Sequence, residues 1–353
     1  MRDVPRAAWD ALGGGGSPFL EWDWHALLED SGAATAATGW LPRPLTLWEG
    51  ERLVGGCPLY VKGHSLGEFV FDQNWAAAAA RAGIAYYPKL LVAVPFTPVT
   101  GARFLAAPGT ERGEVIATLA AALEARGWLA RTGWQYHWTN PGFASFEDYL
   151  GSLRSKRRNQ VRRERRELAT EGVEIVTHVG ADIPDALFPR MFTLYRRTID
   201  QLPWGQQYLD ERFFTLARER LRARLVFVVA RQDGEVIAGT FNVAKGDTLY
   251  GRYWGAERAL RYLHFNVCYY AGIEHCIAHG LRRFEPGAGG EFKLWRGFDP
   301  TATASLHWLR DPRLAEAVRR FLVQERRAVA RELGWLGERS ALRRDRGGPG
   351  DGA

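Results

Sequence analysis

Sulfur is scarce in this chain: three cysteines and two methionines in 353 residues. Cys57, Cys268 and Cys276 cannot complete a disulfide framework and none sits in a C-x-x-C pair, so they read as small buried apolar residues. Long apolar runs are missing as well. Stretches such as Leu225–Ala230 and Leu90–Val94 are strand-length, far below the roughly 20 residues that cross a bilayer, which excludes a transmembrane helix. Met1–Asp10 carries two arginines and two acids but no apolar core, unlike a secretory signal, and the cytoplasm is the expected compartment. Metal spacing is lacking too: His264/Cys268 and His275/His279 are i, i+4 pairs on one helix, but roughly 10 Å of axial rise separates them and they cannot share one ion.

With 46% hydrophobic and 25% charged residues, the chain suits a soluble globular body of one large domain or two ordinary ones. The net charge of +7 is unevenly placed, for Leu153–Glu167 alone holds eight Arg/Lys against two Glu. Arg154, Arg158, Arg162 and Arg166 recur at four-residue spacing and repel unless an anion faces them. Arg154, Arg158 and Arg162 are therefore candidate phosphate contacts, with tRNA as a possible partner, because the guanidinium fork fits phosphate. A solvated face offset by Glu164 and Glu167 is the alternative, and no aromatic residues alternate with the arginines as base stacking would require.

Periodicity predicts helices over Ala7–Leu12, Trp22–Leu28, Ala76–Ala82, Glu111–Gly127, Phe146–Leu168, Leu187–Ile199, Glu211–Leu221, Arg261–Ala278 and Arg313–Trp335. Strands are expected at Trp134–Trp138, Thr248–Trp254 and Arg282–Glu285, and hairpins over Leu45–Lys62 and Leu225–Lys245. The two hairpins align without a gap at a constant offset of 184: Glu49-Gly50-Glu51 meets Asp233-Gly234-Glu235, Gly55 meets Gly239, and Leu66-Gly67 meets Tyr250-Gly251. One α/β unit used twice follows from that repeat. The expected division is residues 1–145, residues 146–312, a packed C-terminal helix over 313–338 and a disordered tail over 339–353, too polar and Gly-rich to pack.

Two units of hairpin, strand, helix and strand suggest the Gcn5-related acyltransferase arrangement. The run Leu249-Tyr250-Gly251-Arg252-Tyr253-Trp254-Gly255, with Leu263-His264-Phe265, Cys268-Tyr269-Tyr270, Phe284-Glu285-Pro286-Gly287-Ala288, Gly290-Glu291 and Lys293, resembles the FemAB-like predicted N-acyltransferases. Tyr86-Tyr87-Pro88-Lys89-Leu90, Pro95-Phe96-Thr97-Pro98-Val99-Thr100-Gly101 and Leu153-Arg154-Ser155-Lys156-Arg157-Arg158 extend the resemblance over nearly the whole chain. It implies an α/β (α+β) fold of two tandem Gcn5-related N-acetyltransferase-like domains, with mixed sheets flanked by helices. It also implies distant kinship to the Fem ligases and transfer to an amine. Phe292 stands where the family often has His, and Gly289 where it often has Gln.

Acyl transfer needs a base for an amine whose pKa is near 10 in water, donors for the developing oxyanion, and a cation or acid for the leaving group. Glu285 and Glu291 are the candidate bases. A bulge at Gly251 or Gly255 would free a backbone N–H. Tyr253, Tyr269 and Lys293 are candidate leaving-group partners, with Lys293 first because Fem ligases carry a lysine after an aromatic residue in a comparable place. An acceptor groove for a small-molecule or peptide-like amine is expected between the halves. Tyr87, Lys89, Phe96 and Thr97 would line it from the first, and Trp204, Arg252, His264 and Arg296 from the second. No tightly bound cofactor is expected, the donor being acyl-CoA or aminoacyl-tRNA. Arg252-Tyr253-Trp254-Gly255-Ala256-Glu257 begins like a pyrophosphate loop but ends on a carboxylate, which disfavours coenzyme A. The competing reading is a non-catalytic module for a peptidoglycan-like or nucleic-acid ligand.

Overall fold

The computed structural model describes residues 1–13, 16–123, 127–201 and 206–343. The first half runs α1 (Arg6–Ala11), α2 (Trp22–Asp30), β1 (Trp40–Pro42), β2 (Leu45–Glu49), β3 (Arg52–Cys57), β4 (Leu59–Lys62), α3 (Gln73–Arg81), β5 (Lys89–Val92), β6 (Leu105–Ala106), α4 (Arg112–Ala122) and β7 (Leu129–Thr139). The second half opens with α5 (Phe146–Ser152), α6 (Ser155–Thr170), β8 (Glu174–Val179), α7 (Leu187–Asp200), α8 (Glu211–Arg220), β9 (Leu225–Gln232), β10 (Glu235–Lys245) and β11 (Thr248–Ala256). A helix in three parts follows: α9 (Leu263–Phe265), a π-helical turn over Asn266–Tyr270, and α10 (Ala271–Ala278). β12 (Arg283–Glu285), β13 (Asp299–His307) and α11 (Pro312–Glu338) complete it.

The fold is mixed α/β, with helices on the sheets as expected. One seven-stranded sheet has the order β13-β7-β12-β11-β10-β9-β8, and two three-stranded sheets have the orders β1-β4-β5 and β2-β3-β6. In the large sheet β12 runs parallel to β11 and antiparallel to β7. β7, read from sequence as the close of the first half, therefore lies inside the sheet of the second. Sequence alone could not show this, because its partner β12 follows it by more than a third of the chain.

Both predicted hairpins form, β2 with β3 and β9 with β10, and each carries a bulge. The bulges disturb the gapless repeat. A Cβ on Gly55 would meet Val115 of α4, which follows its hairpin, at 2.4 Å; one on Gly239 would meet Met191 of α7, which precedes its hairpin, at 2.7 Å. Gly56, beside Trp9 of α1, has the environment that matches Gly239. The unit is repeated, but the aligned glycines face different helices.

The halves share a core. A single hydrophobic cluster runs from Trp9, Trp24 and Tyr60 to Phe213, Phe227 and Phe241, with Trp24 and Phe213 edge to face at 6.0 Å. Burial on this scale, about 25 cal/mol per Å² of apolar surface, holds the seam shut and fixes the geometry across it.

Two expectations change here. The long helix predicted over Phe146–Leu168 is broken at Leu153-Arg154, where Leu153 bridges to Leu342, and the Arg154 N–H donates to the Ala341 carbonyl at 2.9 Å. Residues 339–343, expected to belong to a disordered tail, are thus packed, with Ala341 buried and the Ser340 hydroxyl donating to Asp299 at 2.6 Å. The rest of that tail, 344–353, lies outside the described residues. β8 and β13 had no counterpart in the sequence reading. Asp299–His307 alternates small polar and apolar residues, and it finds its place only through β7.

Candidate active site

The site forms where β11 and β12 part. Their parallel pairing stops at Tyr250↔Glu285, and one residue further on, Gly251 sits against Pro286 so closely that a Cβ would stand 3.1 Å from the Pro286 Cα. Next comes the bulge, at Arg252 itself: Tyr253 pairs with Phe241 and Gly251 with Asn242, leaving Arg252 without a ladder partner. A bulge frees backbone donors at a strand end and turns the strand aside. Gly255, the other expected bulge position, is instead paired with Gly239 and lies under α7, where a Cβ would come within 1.9 Å of the Leu194 carbonyl oxygen. It is a close-packing glycine.

Beyond β12 the chain turns through Gly287–Gly290, with Gly290 at φ +85°, a value that L side chains rarely adopt. The turn closes onto Lys293. This side chain is only 3% exposed, and its ammonium donates to the Gly287 carbonyl at 2.7 Å and the Ala288 carbonyl at 3.2 Å. Burial pushes its pKa down to about 8.

Across the sheet, the register sets Tyr250, Glu285, His137 and Asp299 side by side on β11, β12, β7 and β13. Glu285 is 3% and His137 7% exposed. The Glu285 Oε2 stands 3.8 Å from the His137 Nε2, and neither atom has a hydrogen-bond partner among the described residues; the other oxygen lies 3.5 Å from Arg283. Burial pushes Glu285 up to about 7 against the opposing pull of Arg283, the Thr100 backbone N–H and Arg103. His137 is pushed down to about 4, by burial first and then by the positive charges of Arg283 and Lys293. A carboxyl poised near neutrality beside a neutral imidazole is suited to taking a proton from a substrate.

The first half reaches this place through the loop after β5. Arg252 donates to the Phe96 carbonyl and, at 3.1 Å, to the Thr97 hydroxyl, and stacks 5.2 Å from the rings of Phe19 and Tyr253. Phe96 itself stacks on Tyr208 at 4.7 Å and packs on Trp40. Phe96, Thr97, Arg252 and Tyr253 are therefore brought together, as a joint between the halves. Tyr253 packs edge to face on Tyr195 at 5.3 Å, and burial raises its hydroxyl pKa, so it is placed as a core aromatic more than as an acid. His264 lies between Trp254 and Tyr269, at 4.8 and 5.1 Å, and burial holds it neutral with a pKa of about 4, Lys293 and Arg296 adding to the shift.

Several expected residues stand elsewhere. Lys89 is committed to Ser65, Glu68 and Asp72 at 2.9, 2.7 and 2.5 Å, and Tyr87 shares the Ser65 hydroxyl at 2.7 Å, in a polar cluster of the first half. Glu291 is exposed on the outside of its turn. Arg296 is 1% exposed and bonds Glu164 at 2.6 Å, the Tyr270 hydroxyl at 2.8 Å and the Phe292 carbonyl at 2.8 Å, a buried ion pair closed off from substrate. On α6, Arg162 pairs with Glu147 at 2.5 Å, while among the described residues Arg154, just ahead of the helix, and Arg158 reach the Glu338 carbonyl and the Ser155 hydroxyl, each at 3.4 Å. Trp204 lies outside the described residues. The supposed pyrophosphate loop Arg252–Glu257 lies largely in strand β11, and Glu257 pairs with Arg190 at 2.8 Å. Among the described residues no group of three or more His, Cys, Asp or Glu is arranged to hold a metal, and no helix is long and apolar enough to cross a membrane.

His137 is the residue that sequence reasoning missed. Its only signal was one histidine in an aromatic strand, Trp134–Trp138, and nothing local pointed to Glu285 as its neighbour.

No curated protein matches the chain. Among solved structures it is similar to FemX (12% identity, 88% of this chain and 98% of that one, TM-score 0.49). It is also similar to L-PGS from Bacillus licheniformis (11% identity, 90% and 98%, TM-score 0.46) and to a tandem GNAT protein from the clavulanic acid biosynthesis pathway (15% identity, 82% and 95%, TM-score 0.35). The FemAB-like family, described as peptidoglycan biosynthesis/recognition, matches residues 1–125 and 115–344. On that coverage the chain belongs to the FemAB-like family.

Proposed function

We propose that this protein is an N-acyltransferase that moves an acyl or aminoacyl group onto an amine at the seam of its halves. The observation that carries the reading is Glu285: a buried carboxyl held near neutrality at the parting of β11 and β12, one turn of chain away from the buried ammonium of Lys293. Glu285 takes the proton from the attacking amine. Backbone N–H groups at the Arg252 bulge receive the developing oxyanion, and Lys293 supplies positive charge to the departing sulfur or oxygen. The family description favours a peptide-like acceptor of the peptidoglycan class. With Glu257 engaged by Arg190 and no glycine between Glu257 and Leu263, the approach to α9 lacks the usual cradle for pyrophosphate. That favours an aminoacyl-tRNA over acyl-CoA as donor.

The test is transfer from both donor classes to a panel of amines. Glu285→Gln is expected to lower kcat by about 10²- to 10⁴-fold with the fold intact. Absence of turnover with either donor would remove the reading. One observation favours a second one, a binding module: Arg154, Lys156, Arg158 and Arg166 have no acidic partner among the described residues. It requires binding with a steep salt dependence that survives Glu285→Gln and Lys293→Ala.

A further inference from the structure

Glu285 is 3% exposed and its Oε2 atom is shut off from solvent, so a substrate amine reaches it only after a neighbour moves. The neighbours differ in how firmly they are held. His137, Tyr250 and Arg283 stand on β7, β11 and β12, which are laddered together inside the large sheet. The Thr100 backbone N–H and the Arg103 guanidinium, which also face the carboxyl, come instead from the loop between β5 and β6. The stem of that loop is anchored. Val94, Phe96, Thr97 and Val99 are no more than 5% exposed, Pro95 and Pro98 stiffen the backbone between them, the Phe96 N–H donates to the Gly67 carbonyl at 3.1 Å, and Arg252 holds Phe96 and Thr97 across the seam. The tip is not anchored in this way. Among the described residues no backbone N–H or carbonyl from Thr100 to Phe104 bonds another backbone group, and Gly101 is exposed at φ +147°. Segments with so few backbone bonds open at low cost.

What closes the tip is Arg103. Its guanidinium folds back to donate to the Val99 carbonyl at 2.5 Å, the Ala102 carbonyl at 3.2 Å and the Gly101 carbonyl at 3.3 Å; carbonyls of its own loop, and no carboxylate, are its hydrogen-bond partners among the described residues. The side chain thus clasps the loose tip to the anchored end of the stem. We infer that Thr100–Arg103 is a flap that lifts to admit the acceptor amine to Glu285, and that Arg103 is the positioning residue that brings it back down over the reacting carboxyl. The inference rests on the transferase reading above and deepens it. Lifting lets the amine in, and closure shuts water out of the reacting site. The flap and the bare charge of Arg103 act on Glu285 with opposite signs. Burial is the larger influence, so a lifted flap hydrates the carboxyl and lets its pKa fall from about 7 toward the ordinary 4.5, with His137, Tyr250 and Arg283 left in place. Loss of the nearby positive charge under a closed flap would raise it instead.

The experiment uses the full chain without donor. Amide hydrogen exchange is followed by NMR in the parent, in Arg103→Met, and in Gly101→Ala, which keeps the Arg103 charge but strains the flap at a positive φ. Both variants should speed exchange at Thr100–Phe104 about 10-fold while leaving the Phe96 and Tyr250 amides unchanged. No change at the flap, or an equal rise at all these amides, overturns the inference. The Glu285 carboxyl is then titrated with ¹³C-glutamate labelling, its signal assigned with Glu285→Gln. Its midpoint should drop in both variants, and Arg103→Lys, which keeps a donor for the Val99 carbonyl, should return it toward the parent value. A midpoint that rises in Arg103→Met shows only a lost charge and overturns the flap. Turnover is a separate arm, in which the pH midpoint of kcat/KM should move down with the titration. Turnover by a parent whose flap fails these tests leaves the transferase standing, whereas a flap that passes them in a protein inactive with every donor removes the transferase and not the motion.

Discussion

Glu285, His137 and Lys293 are all moved toward neutrality by the same cause. Burial penalises each charged form, so the acid rises to about 7 while the two bases fall to about 4 and 8. The consequence for stability has a definite sign. Unfolded, Glu285 loses its proton near the ordinary 4.5, whereas folded it holds the proton until about 7, so between those values the unfolded chain binds fewer protons and stability falls as pH rises. The shift corresponds to roughly 3 kcal/mol. Denaturant unfolding at pH 5 and pH 7.5 should show Glu285→Gln losing less stability than the parent over that step. An equal loss would mean that Glu285 is hydrated. At this scale the sequence was legible only for some residues. Glu285 and Lys293 stood out through their neighbours and through family resemblance. Arg296 looked equally available, because its acidic partner Glu164 sits 132 residues earlier, on a helix face read as solvated.

Among the elements, the helices and hairpins were readable because their signals are local: turn glycines, i, i+4 apolar spacing and caps such as Asp311 ahead of α11. Interruptions were not. The α5–α6 break is set by residues 340–343 wedged beside Leu153, and the π turn in α9–α10 is pinned to α6, where Asn266 and Tyr270 bond Glu164. α6 is therefore two-sided, with basic residues outward and Glu164 inward to Arg296 at 1% exposure on both partners. Removing one partner of such a pair strands the other charge. Glu164→Ala should cost about 3–5 kcal/mol by denaturant melting, whereas Arg158→Ala should stay within about 0.5 kcal/mol. Equal effects would mean that the buried pair does not hold α6 in place.

For the whole molecule, the site exists because two halves share one core and β7 crosses into the larger sheet. Duplication was visible as a sequence repeat, but the repeat could not show which strand of the first half would be borrowed, since pairing partners are chosen by burial over the full chain. That borrowing brings His137 to Glu285, and the loop after β5 brings Thr97 to Arg252. Under the proposed transferase reading, catalysis and the integrity of the seam are linked through residues far apart in sequence. The central claim, that Glu285 is the base of a transfer reaction at this seam, is tested most directly by the pH profile of kcat/KM for the donor, measured in the parent and in Glu285→Gln. The account predicts a rise with a midpoint near pH 7 in the parent that is missing from the variant; the same rise in both proteins would contradict it.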